Sequence, residues 1–433
     1  YPEYKDAGCK WLGMVPSHWL LKRLGHYFDE RKEKVSDTDF EPLSVTKNGV
    51  VPQLETAAKT DDGDNRKRVA TGDFVINSRS DRKGSAGISH MNGSVSLINT
   101  VLTPTHDVRP QFVHHLLRSV AFQEEYYRIG RGIVADLWST NFSEMRNIEL
   151  AVPPLDEQDA IATFLDSETA KIDTLVEEQK RLIELLKEKR QALISRAVTK
   201  GLDPNVQMKD SGVEWLGEVP AHWAVLRLKA ASTFVTSGPR GWSDSITDDG
   251  SLFVQSGDLT DALGIDFVNA KRVVVADDAE AKRTQLNPGD VLVCITGAKT
   301  GKVAVCDQID EPAFINQHIC LVRPAADVRP KFLGAYLHSE AGQRHFQSAQ
   351  YGLKQGLSLQ NVREAALPAP PPDEQDAIVD HIGRIADELD PLTAAAERSI
   401  SLLQERRSAL ISATVTGKID VRGLVPQPEV VSA

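Results

Sequence analysis

"WLGMVPSHW" runs from Trp11 to Trp19, and "WLGEVPAHW" runs from Trp215 to Trp223. Working outward, residues 5–24 and 209–228 share 12 of 20 positions. Three further echoes follow in the same order. "DVRPQF" at 107–112 answers "DVRPKF" at 327–332, "DEQDAI" at 156–161 returns at 373–378, and "QALISRAVT" at 191–199 returns as "SALISATVT" at 408–416. Two long half-repeats of this kind exclude a short-period solenoid. Between the landmarks, residues 25–150 and 229–370 barely resemble each other. Two copies therefore keep one frame and change its contents, as two sockets of one design would that hold different readers.

Each half ends in a segment with helical character. A proline-rich stop and Asp156–Glu157, or Asp373–Glu374, supply helix-start chemistry. Behind them run heptad-spaced seams: Leu165, Ile172, Leu186 and Leu193 in the first copy, Ile382, Leu389, Leu403 and Leu410 in the second. Leu175, Val176, Leu182 and Ile183 widen the first stripe. This period predicts a coiled-coil seam, with each helix as the other's mate. A helix over 156–198 would be about 64 Å long at ~1.5 Å per residue. Pro391, where the first copy has Thr174, is expected to kink or restart the second helix, capped by Asp390.

The variable stretches read as strands with short helices. "GDFVINSR", "GDVLVCITG" and "RVVVAD" are strand-like, whereas the segments after Pro110 and Pro330 have helical spacing. The fold class is α+β: two mixed α/β domains separated by a pair of long antiparallel coiled-coil helices in a pseudo-twofold internal repeat. The boundaries are 1–155 for the first variable domain, 156–200 for the central helix, 201–372 for the second domain, and 373–433 for the C-terminal helix and tail. In each Trp block a Gly and a Pro bend the chain between two aromatic anchors. Trp11, Trp19, Trp215 and Trp223 are therefore expected to dock each domain onto a helix end rather than stack on a ligand.

Composition bounds the chemistry. The chain has 433 residues, of which 41% are hydrophobic and 26% charged, as in ordinary globular proteins. It opens on Tyr rather than Met, so a start upstream is expected. "YPEYKDAGCK" has no apolar signal core, no run approaches a membrane span, and a cytoplasmic location without membrane contact is expected. Cys9, Cys294, Cys306 and Cys320 form no paired metal spacing and read as reduced thiols. "GAKTGKV" at 297–303 is a residue short of a phosphate loop and ends in Val rather than Ser or Thr. No catalytic, cofactor or metal set emerges, and the chain is expected to catalyse nothing.

What remains is recognition. The net charge of −11 argues against nucleic acid, but residues 1–150 balance 20 basic against 20 acidic side chains. Local clusters beside flexible glycines suit phosphate and base-edge contacts. They contribute Arg66, Lys67, Arg68, Arg79, Arg82, Lys83 and Arg131 in the first domain. The second contributes Arg240, Lys299, Lys302, Gln317, Lys354 and Gln355.

The duplicated Trp blocks, the dissimilar domains and the two "DEQ…ALI" helices together resemble the specificity subunit of a type I restriction–modification system. The resemblance covers essentially the whole chain. It implies a subunit whose two target-recognition domains each read half of a split double-stranded DNA site, leaving the spacer unread. It implies helices that pair antiparallel and hold the domains apart. The implied partners are two adenine-methyltransferase subunits, with restriction subunits joining through them. S-adenosylmethionine and, for cleavage, ATP and Mg are expected on those partners and no cofactor on this chain. The alternatives are a stand-alone DNA-binding regulator with two readers, which would not need duplicated docking blocks, and a protein-interaction scaffold that never touches DNA.

Overall fold

The computed structural model describes residues 1–55, 63–132, 138–350 and 356–424, the side chains of Ser80 and Ser243 apart. The chain divides into two compact units, Tyr1–Lys180 with the segment from Glu397 onward, and Arg181–Ala396. The division runs through the middle of both long helices, Leu155–Lys200 and Pro372–Val415.

Each unit is built on the same four-stranded antiparallel sheet. In the first the order is Ala86–Ile88, Phe74–Asn77, Asn99–Pro104, Phe28–Glu30. In the second it is Val303–Val305, Val291–Cys294, Ile319–Pro324, Ser232–Ser237. The "GD" before each central strand turns the chain, and the aspartate is buried. Asp73 takes a two-pronged ion pair from Arg31, and Asp290 takes one from Arg323. Phe74–Asn77 and Val291–Cys294 are buried on both faces, which explains continuous apolar runs where a half-exposed strand would alternate.

Helices cover one face of each sheet core. The stretch after Pro110 forms two helices, Pro110–Arg118 and Val120–Arg128, and the stretch after Pro330 forms Pro330–His338 and Glu340–Ala349. Each pair breaks at a serine whose side chain accepts from a backbone N–H of the next helix: Ser119 from Phe122, Ser339 from Gly342. The units differ in their second sheet. The first has a three-stranded antiparallel sheet, Gly93–Val95, Arg66–Val69, Lys34–Val35. The second has four strands that include a parallel pair, Ser251–Val254 beside Ala313–Ile315. Cys294, Cys306 and Cys320 are buried in the second unit, and burial pushes the Cys306 thiol up to about 11 and the Cys320 thiol up to about 12.

The long helices run antiparallel. In the first unit Leu165 and Val415 share the core, with Leu410 and Ile411 packed against it. In the second, Leu186 packs with Ile385 and Leu389, and Leu193 lies against them. Arg407 pairs with Asp173 at 2.9 Å and Arg190 with Asp390 at 2.6 Å. The 217-residue repeat offset carries Asp173 to Asp390 and Arg190 to Arg407, so each ion pair is the copy of the other. These pairs are exposed and worth only about 0.2–1 kcal/mol each, so they select register while leucine burial, about 2 kcal/mol per side chain, supplies stability.

The seam departs from the heptad reading in particular places. Ile172 is buried, Ile382 is half-buried against a core cluster that also holds Ile194, Ala197 and Val198 of the facing helix, and Leu403 is only half-buried. Leu175 and Leu182, read as widening the stripe, are exposed at 44% and 41%. The buried band is narrower than the apolar stripe because the domain cores take part of each helix. Pro391 does not restart the second helix, which continues through it from Pro372 to Val415. The carbonyl that loses its partner belongs to exposed Asp387, where water can satisfy it, and Asp390 is committed to Arg190 rather than to a cap.

Neighbouring leucines provide a test of the seam. Leu186 is 9% exposed and Leu185 is 44% exposed. Leu186→Asp is expected to lower the unfolding free energy by about 3 kcal/mol or more, and Leu185→Asp by less than about 0.5 kcal/mol. Urea denaturation of the two variants measures the difference, and equal midpoints would show that Leu186 is not at a buried seam.

Candidate nucleic-acid interface

The frame is assembled at the first turn of each long helix. Trp19 is fully buried and its indole N–H donates to Glu157 at 2.9 Å, while the His18 ring contacts the same carboxylate at 2.8 Å. In the second unit Trp223 donates to Glu374 at 3.0 Å, and His222 lies 2.8 Å from it. The next residue ties in the domain. Gln158 accepts from Arg109 N–H at 2.7 Å and donates to the Asp107 carbonyl at 3.1 Å, and Gln375 treats Arg329 and Asp327 alike at 2.8 and 3.0 Å. Asp159 and Asp376 complete the motif on the Arg109 and Arg329 side chains. The DEQ motif is thus more than a helix start: Glu holds the Trp block and Gln holds the loop that opens the domain's own helix.

The other tryptophans do a different job. Trp11 packs its ring on Phe122 at 6.0 Å and Trp215 sits 5.5 Å from His345, so both anchor the block to the domain's second helix rather than to a long helix. Between the anchors the chain must reverse through Gly13 and Gly217, whose φ of 63° and 65° lie in the left-handed region that favours glycine. Each block also receives the end of a long helix. A Cβ on Gly417 would lie 2.3 Å from Pro16 and 3.2 Å from Trp19, and one on Gly201 would lie 3.3 Å from Trp223.

At one end of the first unit's sheet three loops converge. Thr140 N–H donates to the Ser78 carbonyl at 3.0 Å, Ser78 N–H donates to the Ile98 carbonyl at 3.1 Å, and Arg131 and Ser139 exchange backbone hydrogen bonds at 2.8 and 2.9 Å. Arg79 also bridges to Ser139, which brings Arg79 and Arg131 onto one short strip. Arg79, Arg82, Lys83 and Arg131 are all exposed there. Lys83 reaches Glu124, and Arg131 stays 3.7 Å from Glu144 with its side chain 83% exposed.

The basic strand "RKR" behaves differently. Arg66 is buried and donates to Ser94 Oγ at 2.8 Å and to the Ser94 carbonyl at 3.1 Å. Burial pushes its guanidinium down. Lys67 donates to the Asn99 carbonyl at 2.9 Å, and Arg68 pairs with both oxygens of Glu33. A strand alternates its faces within a sheet, so three adjacent cations cannot all point outward. Arg66 is accordingly a structural residue, in contrast to its expected place at a nucleic-acid surface.

The second unit gathers the matching loops. Leu357 N–H donates to the Ile295 carbonyl at 2.7 Å, Ile295 N–H donates to the His318 carbonyl at 2.8 Å, and Thr296 bridges to Gly356. Gly238 N–H donates to the Asn316 carbonyl at 3.2 Å, which adds the loop that carries exposed Arg240. Lys302 is paired with Asp261 at 2.7 Å, Lys299 donates to the Gly257 carbonyl at 3.0 Å, and Gln317 contacts the His318 ring at 3.1 Å. Lys354 and Gln355 lie outside the described residues.

Comparison with known proteins places this architecture. Residues 246–397 match the model of the type I restriction modification DNA specificity domain. The chain is 24% identical over 297 residues to the type I restriction enzyme MjaVIII specificity subunit of Methanocaldococcus jannaschii, covering 64% of each. It is 23% identical over 294 residues to the EcoBI specificity subunit of Escherichia coli, covering 65% of this chain and 61% of that one. The matches thus span under two thirds of those two relatives. A chain from a solved type I R-M system is superimposable with a TM-score of 0.70 at 17% identity, covering 94% of this chain and 99% of that one. This chain is similar to type I restriction specificity subunits, in sequence over 64–65% of its length and in fold over 94% of it.

The fold also gathers surface that charge counting overlooks. A groove of about 480 Å³ opens beside Ser78 in the first unit, and Lys32, Lys67 and Arg146 line it with Asn141 and Glu30. Lys32 lies in the mixed run RKEK and Arg146 stands alone, neither beside a glycine-rich loop, so only the fold brings them together. Among the described residues no group of three or more His, Cys, Asp or Glu side chains could hold a metal ion, and no helix is long and apolar enough to cross a membrane.

The two kinds of arginine predict opposite outcomes. Arg66→Gln is expected to lower the unfolding free energy by about 1–3 kcal/mol, because Ser94 loses a buried partner. Arg131→Gln is expected to change it by less than about 0.5 kcal/mol. Urea midpoints decide, and an unchanged Arg66→Gln midpoint would return Arg66 to the surface.

Proposed function

We propose that this chain is the non-catalytic DNA-specificity subunit of a type I restriction–modification complex. Each unit reads one half of a bipartite double-stranded target through the loops at its sheet end, and the base pairs between the halves go unread. The observation that carries this reading is the pairing of constant and variable parts. Sheets of identical strand order, each in a unit with the same Trp–Glu–Gln node, bring the same loops together at one end, and those loops hold different side chains in the two units. A chain built to display one surface twice would repeat the loops with the frame.

The duplicated frame also supports two equivalent partner sites. Leu175, Leu185, Leu392 and Leu402 are exposed at 44%, 44%, 52% and 64%. The repeat offset carries Leu175 to Leu392 and Leu185 to Leu402, so each unit exposes one leucine of each type. Such leucines gain about 1.5–3 kcal/mol each when covered. In the proposed complex two adenine-methyltransferase subunits cover them, bringing S-adenosylmethionine, and restriction subunits with their ATP and Mg join through those. This chain contributes recognition and seating, and the chemistry resides on the partners.

The test is methylome sequencing of a host that carries this subunit with its methyltransferase. The expected motif is split into two different half-sites. Exchanging residues 25–150 for the same region of another family member is expected to change one half and leave the other intact. A swap that changes both halves, or neither, defeats the two-reader model. For the partner surface, Leu185→Asp with Leu402→Asp is expected to keep the wild-type unfolding midpoint while reducing copurified methyltransferase at least ten-fold. Undiminished copurification would move the partner site elsewhere.

A further inference from the structure

One element occupies the same place in both units and changes its chemical character completely. In the first unit Asn99 N–H donates to the Ser96 carbonyl at 3.0 Å and closes a tight turn with Leu97 and Ile98 at its tip. In the second, Ile319 N–H donates to the Asn316 carbonyl at 3.2 Å and closes a turn with Gln317 and His318 at its tip. The equivalence is structural rather than inferred from spacing. Each turn leads into the same strand of the shared sheet, Asn99–Pro104 or Ile319–Pro324. Each is also pinned at its last tip residue by the residue after the neighbouring strand: Ser78 on the Ile98 carbonyl, Ile295 on the His318 carbonyl.

The tips differ in what they offer. Leu97 and Ile98 are 40% and 37% exposed, although a turn tip costs nothing to make polar. Both line the groove that also holds Lys32, Lys67 and Arg146. In the second unit the tip is a polar chain: the Gln317 amide meets one nitrogen of the His318 ring and Thr296 Oγ1 meets the other. The first tip can only make apolar contacts, and the second can donate and accept hydrogen bonds.

We propose that this turn is a specificity-determining element of each reader, and that in the first unit Leu97 and Ile98 recognise the C5-methyl of a thymine in the DNA major groove. The inference rests on the DNA-reading function proposed above. The occupant is set by the surroundings. Three cations against the single carboxylate of Glu30 suit a polyanion, whose phosphates they would flank. Within a polyanionic duplex the thymine methyl is the one apolar group that the major groove displays, and aliphatic side chains are its usual partners. The second unit's tip, with an amide and an imidazole, suits the hydrogen-bonding edge of a purine. The same turn thus serves two half-sites by exchanging an apolar pair for a polar one, and the frame needs no adjustment.

The experiment uses the full chain assembled with its methyltransferase subunit and a duplex carrying the target motif. Each thymine of the first half-site is replaced in turn by uracil, which removes the C5-methyl and leaves the pairing unchanged. One position is expected to weaken binding about four-fold, the weight of one buried methyl group. The Leu97→Ser, Ile98→Ser double variant is expected to bind the thymine and uracil duplexes alike, while its response to changes in the second half-site stays that of the wild type. The inference is overturned if no uracil position matters, if the first half-site contains no A·T pair, or if the double variant keeps the wild-type response to uracil. The uracil series needs no variant, so a misfolded variant does not shield the proposal. An assembled complex that binds no duplex at all overturns the function itself, and that result is distinct from specific binding indifferent to the methyl group.

Discussion

A buried indole N–H on a carboxylate at the first turn of a long helix is the contact on which the rest depends. Trp19 and Glu157, like Trp223 and Glu374, meet at a place where several preferences agree. The carboxylate lies at the positive end of a helix macrodipole, and the indole has no other acceptor in its core. Removing the glutamate strands the indole N–H, and a buried orphan costs about 1–3 kcal/mol, more than the bond itself contributes. The following glutamine extends the constraint to the loop before the domain's own helix. Two consecutive side chains, Glu and Gln, therefore fix the Trp block, the long helix and the recognition domain to one another. This explains why the sequence repeats those residues and tolerates change nearly everywhere else.

The ion pairs along the helices carry the repeat further. Asp173 with Arg407 and Asp390 with Arg190 are related by the repeat offset, with the roles of the two helices exchanged. That exchange is the mark of an isologous contact, in which residue i meets j and the copy of i meets the copy of j. Identical chains that pair about a twofold axis obey the same rule. A partner that recognises the frame of one copy has the same frame to recognise in the other, and the exposed leucines also occur as repeat-related pairs.

The sequence was readable where a residue's role follows from spacing or duplication. The Trp blocks, the DEQ helix starts and the seam positions Leu165, Leu186 and Leu389 were visible because each is set by periodicity or repeats at a fixed offset. The shared four-stranded sheet was not, since strands buried on both faces need only be apolar and two copies can drift apart without loss. Burial of Arg66 was hidden for a related reason: three adjacent cations look alike in a sequence, alternation puts Arg66 and Arg68 on one face, and only the packing of Ser94 on Arg66 separates the inward one. Leu403 fits the heptad yet is only half-buried, because spacing alone does not say how closely the facing helix approaches. Lys32, Arg146, Leu97 and Ile98 carry no local signature, because the groove they share is made by segments distant in sequence.

The net charge of −11 finally ceases to count against a DNA-reading role once the cations are located. Many of them are spent inside the protein: Arg31 and Arg323 hold buried aspartates, Arg68 is held by Glu33, and Arg109 and Arg329 brace the frame. Those left exposed at the first unit's sheet end, Arg82 and Arg131 among them, are few. Nonspecific affinity for DNA grows with the number of phosphates neutralised, so a chain with a broad basic face would be held on any sequence. On a chain of net negative charge, few exposed cations at the sheet-end loops keep that sequence-independent contribution small. In the proposed function, discrimination then falls to base-edge contacts of the kind short turns can make, and the tips of those turns differ between the two units.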